Sequence, residues 1–357
     1  SVPAAKVNPD ETAIFLYTGG TTGISKGAVL THHNLVVNVY QTKSWLWSMN
    51  PGQDVLLCAL PFFHSYGMTT GLHLAVASHS TMLLVPRFEL VDVVKQIKKY
   101  KPTIFCGVPS LYNAISRYSK VSSSDVSSIQ LCISGGAALP ADVQSRFEAL
   151  TGGKLVEGYG LSETSPVALV NPIHGYRKSG TIGVPIPNTE ARVVHLKTRE
   201  NLNPGQVGEL AIKGPQVMKE YWKMPEETSE VLQDGWLYTG DMAIMDQEGF
   251  FSIVDRKKDM IISAGMNIYP REVEEILHQH PNIVEAAVVG IPSKVREETV
   301  KAYVVLEENQ ELTQQELIQF CTDKLAKYKI PKRVEFVKEL PKSALGKVLK
   351  RVLTESS

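Results

Sequence analysis

The stretch IQLCISGGAALPADVQSRFEALTGG, residues 129–153, joins two different patterns. Its first part is a short apolar run that ends at two glycines, which predicts a buried strand followed by a tight turn. Its second part has Pro140 near the start and glycines at the end of an amphipathic run, which predicts a helix. A strand that leads through a turn into a helix is the repeating unit of parallel α/β sheets.

The same alternation extends over residues 55–165. STMLLVP (80–86) precedes the amphipathic ELVDVVKQIKKYK (89–101), and PTIFCGVP (102–109) precedes SLYNAISRYSK (110–120). The pattern predicts a mostly parallel sheet with helices on both faces. Ligands of such sheets bind at the carboxyl ends of strands. The glycine-rich segments SGGAA (134–138) and EGYGLSET (157–164) are predicted to be turns at those ends.

The pattern changes after residue 180. Residues 180–256 contain short alternating runs separated by Gly, Pro and Asn, which predict an antiparallel β part. A small α+β unit follows, with a helix over 270–278 and strands over 284–289 and 301–306. Its last helix is predicted to begin at Thr313, because Glu316 three residues later completes a capping box.

These patterns predict an α/β fold in two domains. The large domain, residues 1–256, has mostly parallel sheets layered with helices plus the antiparallel β subdomain. A small α+β C-terminal domain, residues 257–357, follows, and the charged run from Asp255 to Asp259 at its start is a candidate hinge.

Composition excludes several classes of function. The 357 residues include 37 basic and 37 acidic ones, so no overall field favours a nucleic-acid partner. The four cysteines are scattered without a CxxC pair, which favours free thiols in a reducing compartment over a disulfide framework or a zinc site. The chain lacks an export signal and an apolar run of about eighteen residues. We therefore expect a soluble cytoplasmic protein.

A local excess of positive charge lies near the C-terminus. Residues 324–351 contain ten basic residues against two acidic ones. Such a surface suits the phosphates of a polyanionic ligand or peripheral contact with an anionic membrane. A solvated helix face explains it equally well.

A second glycine-rich segment, YTGGTTGISKG at residues 17–27, has the composition of a phosphate-binding loop. Glycines let backbone N–H groups converge on an anion, while threonine hydroxyls and Lys26 add donors and charge. Its spacing fails the Walker A pattern, because Lys26 follows Ser25 and precedes Gly27. In isolation, the segment is equally consistent with a solvated turn.

The loop resembles the phosphate-binding signature of the adenylate-forming enzymes, the superfamily of acyl-CoA synthetases, peptide-synthetase adenylation domains and firefly luciferase. Further motifs match that superfamily in the same order over nearly the whole chain: LPFFH (60–64), SGGAAL (134–139), GYGLSET (158–164), GWLYTGD (235–241), VDRKKDMI (254–261), GMNIYPREVE (265–274) and PKSALGK (341–347).

The resemblance implies an ATP site. Glu163 would bind Mg²⁺ on the phosphates and Thr164 a phosphate oxygen, while Asp241 would accept hydrogen bonds from the ribose hydroxyls with support from Arg256. A solvated glutamate and a turn aspartate are the alternative interpretations. The remaining implied positions are Thr18, Gly19, Gly20, Thr21, Thr22, Gly23 and Lys26 for the phosphates, and Gly135, Gly136, Ala137, Gly158, Tyr159 and Gly160 for the adenine.

The resemblance also implies two half-reactions. Lys347 would neutralise charge while a carboxylate attacks the α-phosphorus, a step that depends on positioning and electrostatics. The small domain would then rotate about Lys258 and bring the loop of Gly265 to the tunnel for the CoA thiol. His64 and Gly160 would line the acyl pocket, although His64 fits a core or orienting histidine equally well.

We therefore expect an ATP-dependent acyl-CoA synthetase that activates a medium- or long-chain fatty acid as acyl-AMP and transfers it to CoA. The alternatives are an aryl-acid or coumarate-type CoA ligase and a truncated nucleotide-binding module without activity; a homodimer stays open. Members of the superfamily carry a long segment before the phosphate loop, whereas sixteen residues precede Tyr17 here. We expect that segment to come from a parent chain or a partner, and the isolated chain to be weakly active or inactive.

Overall fold

A computed structural model describes residues 5–18, 25–293, 296–342 and 348–355. The chain divides into two compact units. The larger unit comprises Ser1–Gln206, Leu210–Thr239 and Ile244–Ser252, and the smaller unit comprises Val207–Glu209, Gly240–Ala243 and Ile253–Ser357.

The described residues form strands over the following ranges: β1 (Thr12–Thr18), β2 (Lys26–Thr31), β3 (Val55–Cys58), β4 (Thr81–Leu84), β5 (Ile104–Gly107), β6 (Leu131–Ser134), β7 (Lys154–Gly160), β8 (Val167–Val170), β9 (Val184–Pro185), β10 (Glu190–Val194), β11 (Val207–Lys213), β12 (Glu220–Tyr221), β13 (Leu232–Gln233), β14 (Trp236–Met245), β15 (Phe251–Arg256), β16 (Ile261–Ser263), β17 (Met266–Ile268), β18 (Ile283–Ser293), β19 (Glu297–Leu306) and β20 (Arg333–Phe336).

The α-helices are α1 (His32–Trp45), α2 (Ser65–Gly67), α3 (Leu74–Ala77), α4 (Leu90–Tyr100), α5 (Pro109–Arg117), α6 (Ser123–Val126), α7 (Ala141–Thr151), α8 (Pro225–Val231), α9 (Pro270–Leu277), α10 (Gln314–Thr322) and α11 (Lys350–Glu355). A π-helical segment, Met68–His73, joins α2 to α3, and a short 3₁₀ turn spans Ser162–Thr164. In the part of the chain that the structure describes, no helix is both long and apolar enough to cross a membrane.

The main sheet of the larger unit has the strand order β4-β3-β5-β6-β7-β8-β9. Strands β4 to β7 in this order run parallel, whereas β8 and β9 are antiparallel to their neighbours. Side chains alternate between the two faces, so that Leu56 and Ile104 belong to one core while Leu57 and Phe105 belong to the other. Both cores are covered by helices, and the predicted α/β class with a mostly parallel sheet is confirmed.

The helices of this sheet follow from local sequence. The predicted helix in residues 89–101 is observed as α4, whose Val93 and Ile97 are buried in the second core. The helix predicted after SGGAA is observed as α7, which begins after Pro140 and ends at Gly152 in the left-handed conformation. Glycine is favoured at such a helix end because it lacks a Cβ.

One sequence prediction is wrong in this region. The segment predicted as the turn EGYGLSET is a strand as far as Gly160, and the turn begins only at Ser162. The glycines reflect crowding between strands, because a Cβ at Gly160 would overlap the carbonyl group of Pro166 and one at Gly158 would lie 2.9 Å from Cγ2 of Ile133.

Two smaller sheets accompany the main one. The first has the order β1-β2-β12, with β2 antiparallel to both neighbours. The second has the order β10-β11-β14-β13, with β15 paired to β14.

The core of the smaller unit is a sheet of order β17-β16-β19-β18, with β20 parallel to β19. Helix α9 begins at Pro270 as predicted and ends one residue before the predicted His278. The predicted capping box of α10 is confirmed, because Thr313 Oγ1 accepts a hydrogen bond from the Glu316 N–H while the Glu316 carboxylate accepts one from the Thr313 N–H. The domain boundary at residue 256 and the hinge near Lys258 stay predictions.

Candidate active site

The phosphate-loop motif joins two antiparallel strands. Strand β1 ends at Thr18, which is the register partner of Lys26 at the start of β2. The predicted phosphate-binding residues Gly19, Gly20, Thr21, Thr22 and Gly23 lie outside the described residues, as does the side chain of Thr18. The structure therefore defines the two ends between which this loop runs.

Glu163 lies in the 3₁₀ turn after β7 and contacts a residue that the sequence did not single out. The Tyr221 hydroxyl donates a hydrogen bond of 2.7 Å to Glu163 Oε1. The Lys26 ammonium lies 5.2 Å from the centroid of the Tyr221 ring, within the range of a cation–π interaction. Tyr221 thus contacts both the predicted metal-binding carboxylate and the predicted phosphate-binding lysine.

The environment of Tyr221 keeps its hydroxyl protonated. Burial and, after it, the neighbouring Glu163 carboxylate raise the pKa of Tyr221 well above its usual range. The phenol is therefore a hydrogen-bond donor to Glu163 throughout the neutral range.

Thr164 is oriented differently from Glu163. Its side chain is fully buried, and its hydroxyl accepts a hydrogen bond of 3.0 Å from the Leu161 N–H and donates to the Pro166 carbonyl. In this conformation, the hydroxyl stabilises its own turn. The predicted contact between Thr164 and a phosphate oxygen stays a prediction.

The predicted adenine-wall residues lie at the ends of two adjacent strands. Gly135 follows β6 and is buried against the Tyr66 ring, which a Cβ at Gly135 would approach to 3.1 Å. Gly136 has a φ of +81° and Ala137 is exposed. Tyr159, on the neighbouring strand β7, is half-buried.

His64 begins the helical segment that leads into α3. Its Nδ1 accepts a hydrogen bond of 3.2 Å from the Tyr66 N–H, so the imidazole is the N-cap of α2. Burial lowers the pKa of His64, which favours the neutral form that can accept this bond. This geometry supports the orienting role that the sequence left open beside the acyl-pocket role.

A small depression lies between this helical segment and the main sheet. It measures about 250 Å³, including space open to solvent. Three of its ten lining residues are polar or sulfur-containing, namely Cys58, Thr70 and Cys106. The other seven are apolar or glycine: Leu56, Leu57, Leu60, Phe62, Gly67, Gly71 and Ile104.

In the smaller unit, Asp241 and Glu209 are buried acids with cationic partners. Asp241 is 6% exposed and pairs with Arg256, with 3.4 Å between Oδ1 and Nε. Glu209 is 3% exposed, pairs with Lys257 at 3.2 Å and accepts a hydrogen bond from the N–H of Gly240, the residue before Asp241. The structure thus brings the predicted pair Asp241 and Arg256 together and adds Glu209.

The predicted hinge and CoA-loop residues are surface positions. Lys258 is exposed in the turn after β15. Gly265 lies in the tight turn between β16 and β17 with a φ of +73°, a conformation that favours glycine. Lys347 lies outside the described residues, and the flanking Lys342 and Val348 form an antiparallel bridge.

Sequence reasoning missed Tyr221 and Glu209. Tyr221 follows a lysine and a glutamate in the segment VMKEYWK (217–223), which contains no glycine-rich or acidic signature. Glu209 lies on β11, where an acidic residue within the apolar run VGELAIK (207–213) was a usable signal. A charge in a buried strand requires a partner.

Comparison with known proteins identifies the class. A family model described as AMP-binding enzyme matches residues 1–222, and one described as AMP-binding enzyme C-terminal domain matches residues 272–347. The chain belongs to the AMP-binding enzyme family. The superfamily resemblance found in the sequence is confirmed.

Individual relatives carry several different names. A long-chain-fatty-acid–CoA ligase of Bacillus subtilis is 49% identical over 98% of this chain and 63% of its own length. A probable 4-coumarate–CoA ligase 1 of Dictyostelium discoideum is 37% identical over 99% of this chain and 65% of its own length. The crystal structure of ATP-bound MatB from Rhodopseudomonas palustris matches with a TM-score of 0.94 and 35% identity over 100% of this chain and 70% of that one. The chain therefore spans less than two thirds of the curated relatives it matches.

Proposed function

We propose that the protein of which this chain is at least a part is an ATP-dependent acyl-CoA synthetase. A carboxylic acid and ATP give acyl-AMP and pyrophosphate, and the CoA thiol then displaces AMP to give the thioester. The acid is a medium- or long-chain fatty acid. Each half-reaction draws on a different set of residues.

The arrangement of Glu163, Tyr221 and Lys26 carries this proposal. A carboxylate is a hard oxygen ligand suited to Mg²⁺, and the ammonium lies at the end of a glycine- and threonine-rich loop. Tyr221 contacts both groups, so the carboxylate proposed to bind the cation and the ammonium proposed to bind the phosphates share one neighbouring side chain. Magnesium bound to ATP phosphates needs this combination.

Magnesium would neutralise charge on the phosphates while pyrophosphate leaves. Among this chain's own residues, Glu163 would hold the ion through the carboxylate oxygen that Tyr221 leaves available. Lys26 would bind phosphate oxygens together with the loop from Thr18 to Gly23. Lys347 would stabilise the charge that develops as the acid attacks the α-phosphorus.

The nucleotide's other parts would be bound by hydrogen bonding and packing. The Asp241 carboxylate would accept hydrogen bonds from the two ribose hydroxyls, and its ion pair with Arg256 would hold it in place. The adenine would pack against the polypeptide at the proposed positions Gly135, Gly136, Ala137, Gly158, Tyr159 and Gly160. The smaller unit would rotate about Lys258 as a hinge, and the turn of Gly265 would face the tunnel for the CoA thiol.

Two observations favour a fatty acid. Five of the ten residues that line the depression beside the His64 segment have aliphatic or aromatic side chains, the kind of surface that a hydrocarbon chain contacts. The Bacillus subtilis relative, at 49% identity, is named a long-chain-fatty-acid–CoA ligase. The 4-coumarate–CoA ligase name of the Dictyostelium relative supports an aryl acid as the second candidate.

A panel of acids in ATP–pyrophosphate exchange tests the proposal. Saturated fatty acids of graded length and aryl acids are compared, using the 357-residue chain and a version extended to the full length of the Bacillus subtilis relative with that relative's own sequence. We expect exchange with fatty acids in the extended version, and weaker or no exchange in the chain alone. Exchange with aryl acids but not with fatty acids would show that the proposed substrate class is wrong. No exchange with any acid in either version would overturn the proposed synthetase function.

Lys347→Ala separates the two half-reactions. Loss of one electrostatic stabiliser costs about a hundredfold to a thousandfold in rate. We expect that loss in ATP–pyrophosphate exchange, with thioester formation from supplied acyl-AMP largely retained. Lys338→Ala, which removes the same charge from an exposed position in the same unit, is the control. Equal loss of both half-reactions in Lys347→Ala would contradict the assignment.

A further inference from the structure

We propose that Tyr221 is a positioning residue for adenylation, which sets the mutual placement of the Glu163 carboxylate and the Lys26 ammonium so that both meet one Mg²⁺-bound triphosphate. This inference rests on the proposed function and deepens it. Tyr221 itself would not touch the substrate, and would act only through Glu163 and Lys26.

The side chain of Tyr221 contacts the two groups with different chemistry. Its hydroxyl donates to one oxygen of Glu163, which fixes the rotation of the carboxylate and leaves Oε2 for a cation. Its ring is the surface beside which the Lys26 ammonium lies, 5.2 Å from the centroid. One rigid aromatic side chain with only two rotatable bonds therefore defines the spacing between a site for positive charge and a site for negative charge.

The backbone around Tyr221 joins the same two motifs. The Met218 N–H donates to the Glu163 carbonyl at 2.8 Å, and the Trp222 N–H donates to the Gly27 carbonyl at 2.8 Å. Strand β12 also pairs with β2, where Tyr221 is the register partner of Ala28. Residues 218–222 thus connect the turn of Glu163 to the strand that Lys26 begins.

Tyr221 is itself held firmly. It is 7% exposed, it packs in a core that includes Leu30 and Leu237, and its N–H donates to Thr228 Oγ1 at 2.9 Å. A residue anchored at ring and backbone can orient a partner without losing much conformational entropy at each turnover. Glu163, by contrast, is only half-buried, so its carboxylate needs such a partner to keep one orientation.

Two substitutions separate the two contacts. Tyr221→Phe keeps the ring beside Lys26 and removes only the donor to Glu163. Tyr221→Leu removes both contacts. Tyr176→Phe is the matched control, because Tyr176 is an exposed tyrosine of the larger unit whose hydroxyl contacts the carboxylate of Glu248 at 3.5 Å.

The first measurement is calorimetric binding of ATP to the extended protein without acid, at several concentrations of free Mg²⁺. A hydrogen bond to a charged group is worth roughly tenfold or more in an equilibrium constant. We expect Tyr221→Phe to need about tenfold more Mg²⁺ for the same ATP affinity, with ATP binding in the absence of Mg²⁺ unchanged. Tyr221→Leu should also weaken the binding of metal-free ATP.

The second measurement compares the half-reactions. We expect the Mg²⁺ dependence of ATP–pyrophosphate exchange to shift in Tyr221→Phe by the same factor as binding, while thioester formation from supplied acyl-AMP stays at the parent rate. Thermal unfolding midpoints of the variants show whether the fold is intact.

Three outcomes are distinguishable. A shifted Mg²⁺ dependence in Tyr221→Phe, absent from Tyr176→Phe, supports the positioning role. An unchanged Mg²⁺ dependence, or equal loss of both half-reactions with a lowered unfolding midpoint, overturns it and leaves the proposed function standing. A parent protein that binds no ATP at any Mg²⁺ concentration overturns the proposed function and the role of Tyr221 together.

Discussion

Glu163 in the larger unit and Asp241 in the smaller unit are acids held in opposite ways. Within the part of the chain that the structure describes, the Glu163 carboxylate accepts a hydrogen bond from the neutral phenol of Tyr221, at 2.7 Å. Asp241 pairs with the guanidinium of Arg256 at 3.4 Å and is almost fully buried. A neutral donor orients a carboxylate without cancelling its charge, whereas a cation cancels most of it.

This difference corresponds to two kinds of ligand. A carboxylate that keeps its charge suits a divalent cation, for which charge is the main source of affinity. A carboxylate neutralised by arginine still offers directional acceptors, which suit neutral hydroxyl groups. The contrast therefore predicts different kinetic consequences when each acid is changed to its amide.

Glu163→Gln should give the larger effect. The amide oxygen can still accept from Tyr221, so the change removes charge with little change in shape. We expect adenylation to fall by about a hundredfold to a thousandfold, because stabilisation of the transferring phosphoryl group depends on the metal. ATP–pyrophosphate exchange measures this loss, with thioester formation from supplied acyl-AMP as the internal reference.

Glu226→Gln, at an exposed position on α8 to which no site role is assigned, removes the same charge and should leave exchange at the parent rate. If Glu163→Gln retained the parent exchange rate and Mg²⁺ dependence, the metal-binding assignment would be wrong. Glu163 and Asp241 would then differ only in how deeply their carboxylates are buried, and not in the kind of ligand they bind.

Asp241→Asn should give a smaller effect of a different kind. Hydrogen bonds to the ribose are made equally in the ground state and the transition state, so their loss raises KM rather than lowering kcat. We expect the KM for ATP to rise by about tenfold to a hundredfold, as for the loss of hydrogen bonds to a charged group. Initial rates at varied ATP concentration separate the two constants.

The control for Asp241→Asn is Asp234→Asn, an exposed turn position that tolerates asparagine in its left-handed conformation. A fall in kcat with unchanged KM would assign Asp241 to the chemical step instead. It would also remove the contrast with Glu163.

The two regions also differ in how far the sequence could predict them. The alternation in residues 89–153 predicted helices and parallel strands correctly, because amphipathic periodicity and helix-end residues are local signals. The strand through Gly158 and Gly160 was mistaken for a turn, since the crowding that requires glycine comes from Ile133 on the neighbouring β6 and from Pro166, the residue before β8.

The site shows the same limit. The motifs identified Glu163, Lys26, Asp241 and Arg256 as candidates, but Tyr221 lies 58 positions from Glu163 along the chain. Its strand is two residues long, too short for any periodicity. Only tertiary pairing with β2 brings it between the two motifs, and no local pattern encodes that pairing.

Substitution of His64 should have the smallest effect, and it tests whether a basic side chain with a neutral hydrogen-bond partner also behaves differently from the ion-paired Asp241. Its imidazole has a neutral backbone donor as its partner, the Tyr66 N–H, and burial lowers its pKa. In the unfolded chain, a histidine takes up a proton below about pH 6.5, whereas the folded protein resists protonation until lower pH. Stability from the neutral form is thus present above that pH and is lost as the pH falls towards the lowered folded pKa.

His64→Asn removes this titration and keeps a side-chain acceptor at the N-cap. We expect the free energies of unfolding of parent and variant to differ by a constant amount above pH 7, and the parent to lose stability relative to the variant as the pH falls below about 6.5. Chemical unfolding at a series of pH values measures the free energy of unfolding of both proteins. The other histidines contribute equally to parent and variant, so the difference between the two free energies reports on His64 alone. If the unfolding free energies of parent and variant stayed parallel over the whole pH range, the folded protein would accept a proton on His64 as readily as the unfolded chain does. His64 would then differ from Glu163, whose charge has a neutral partner.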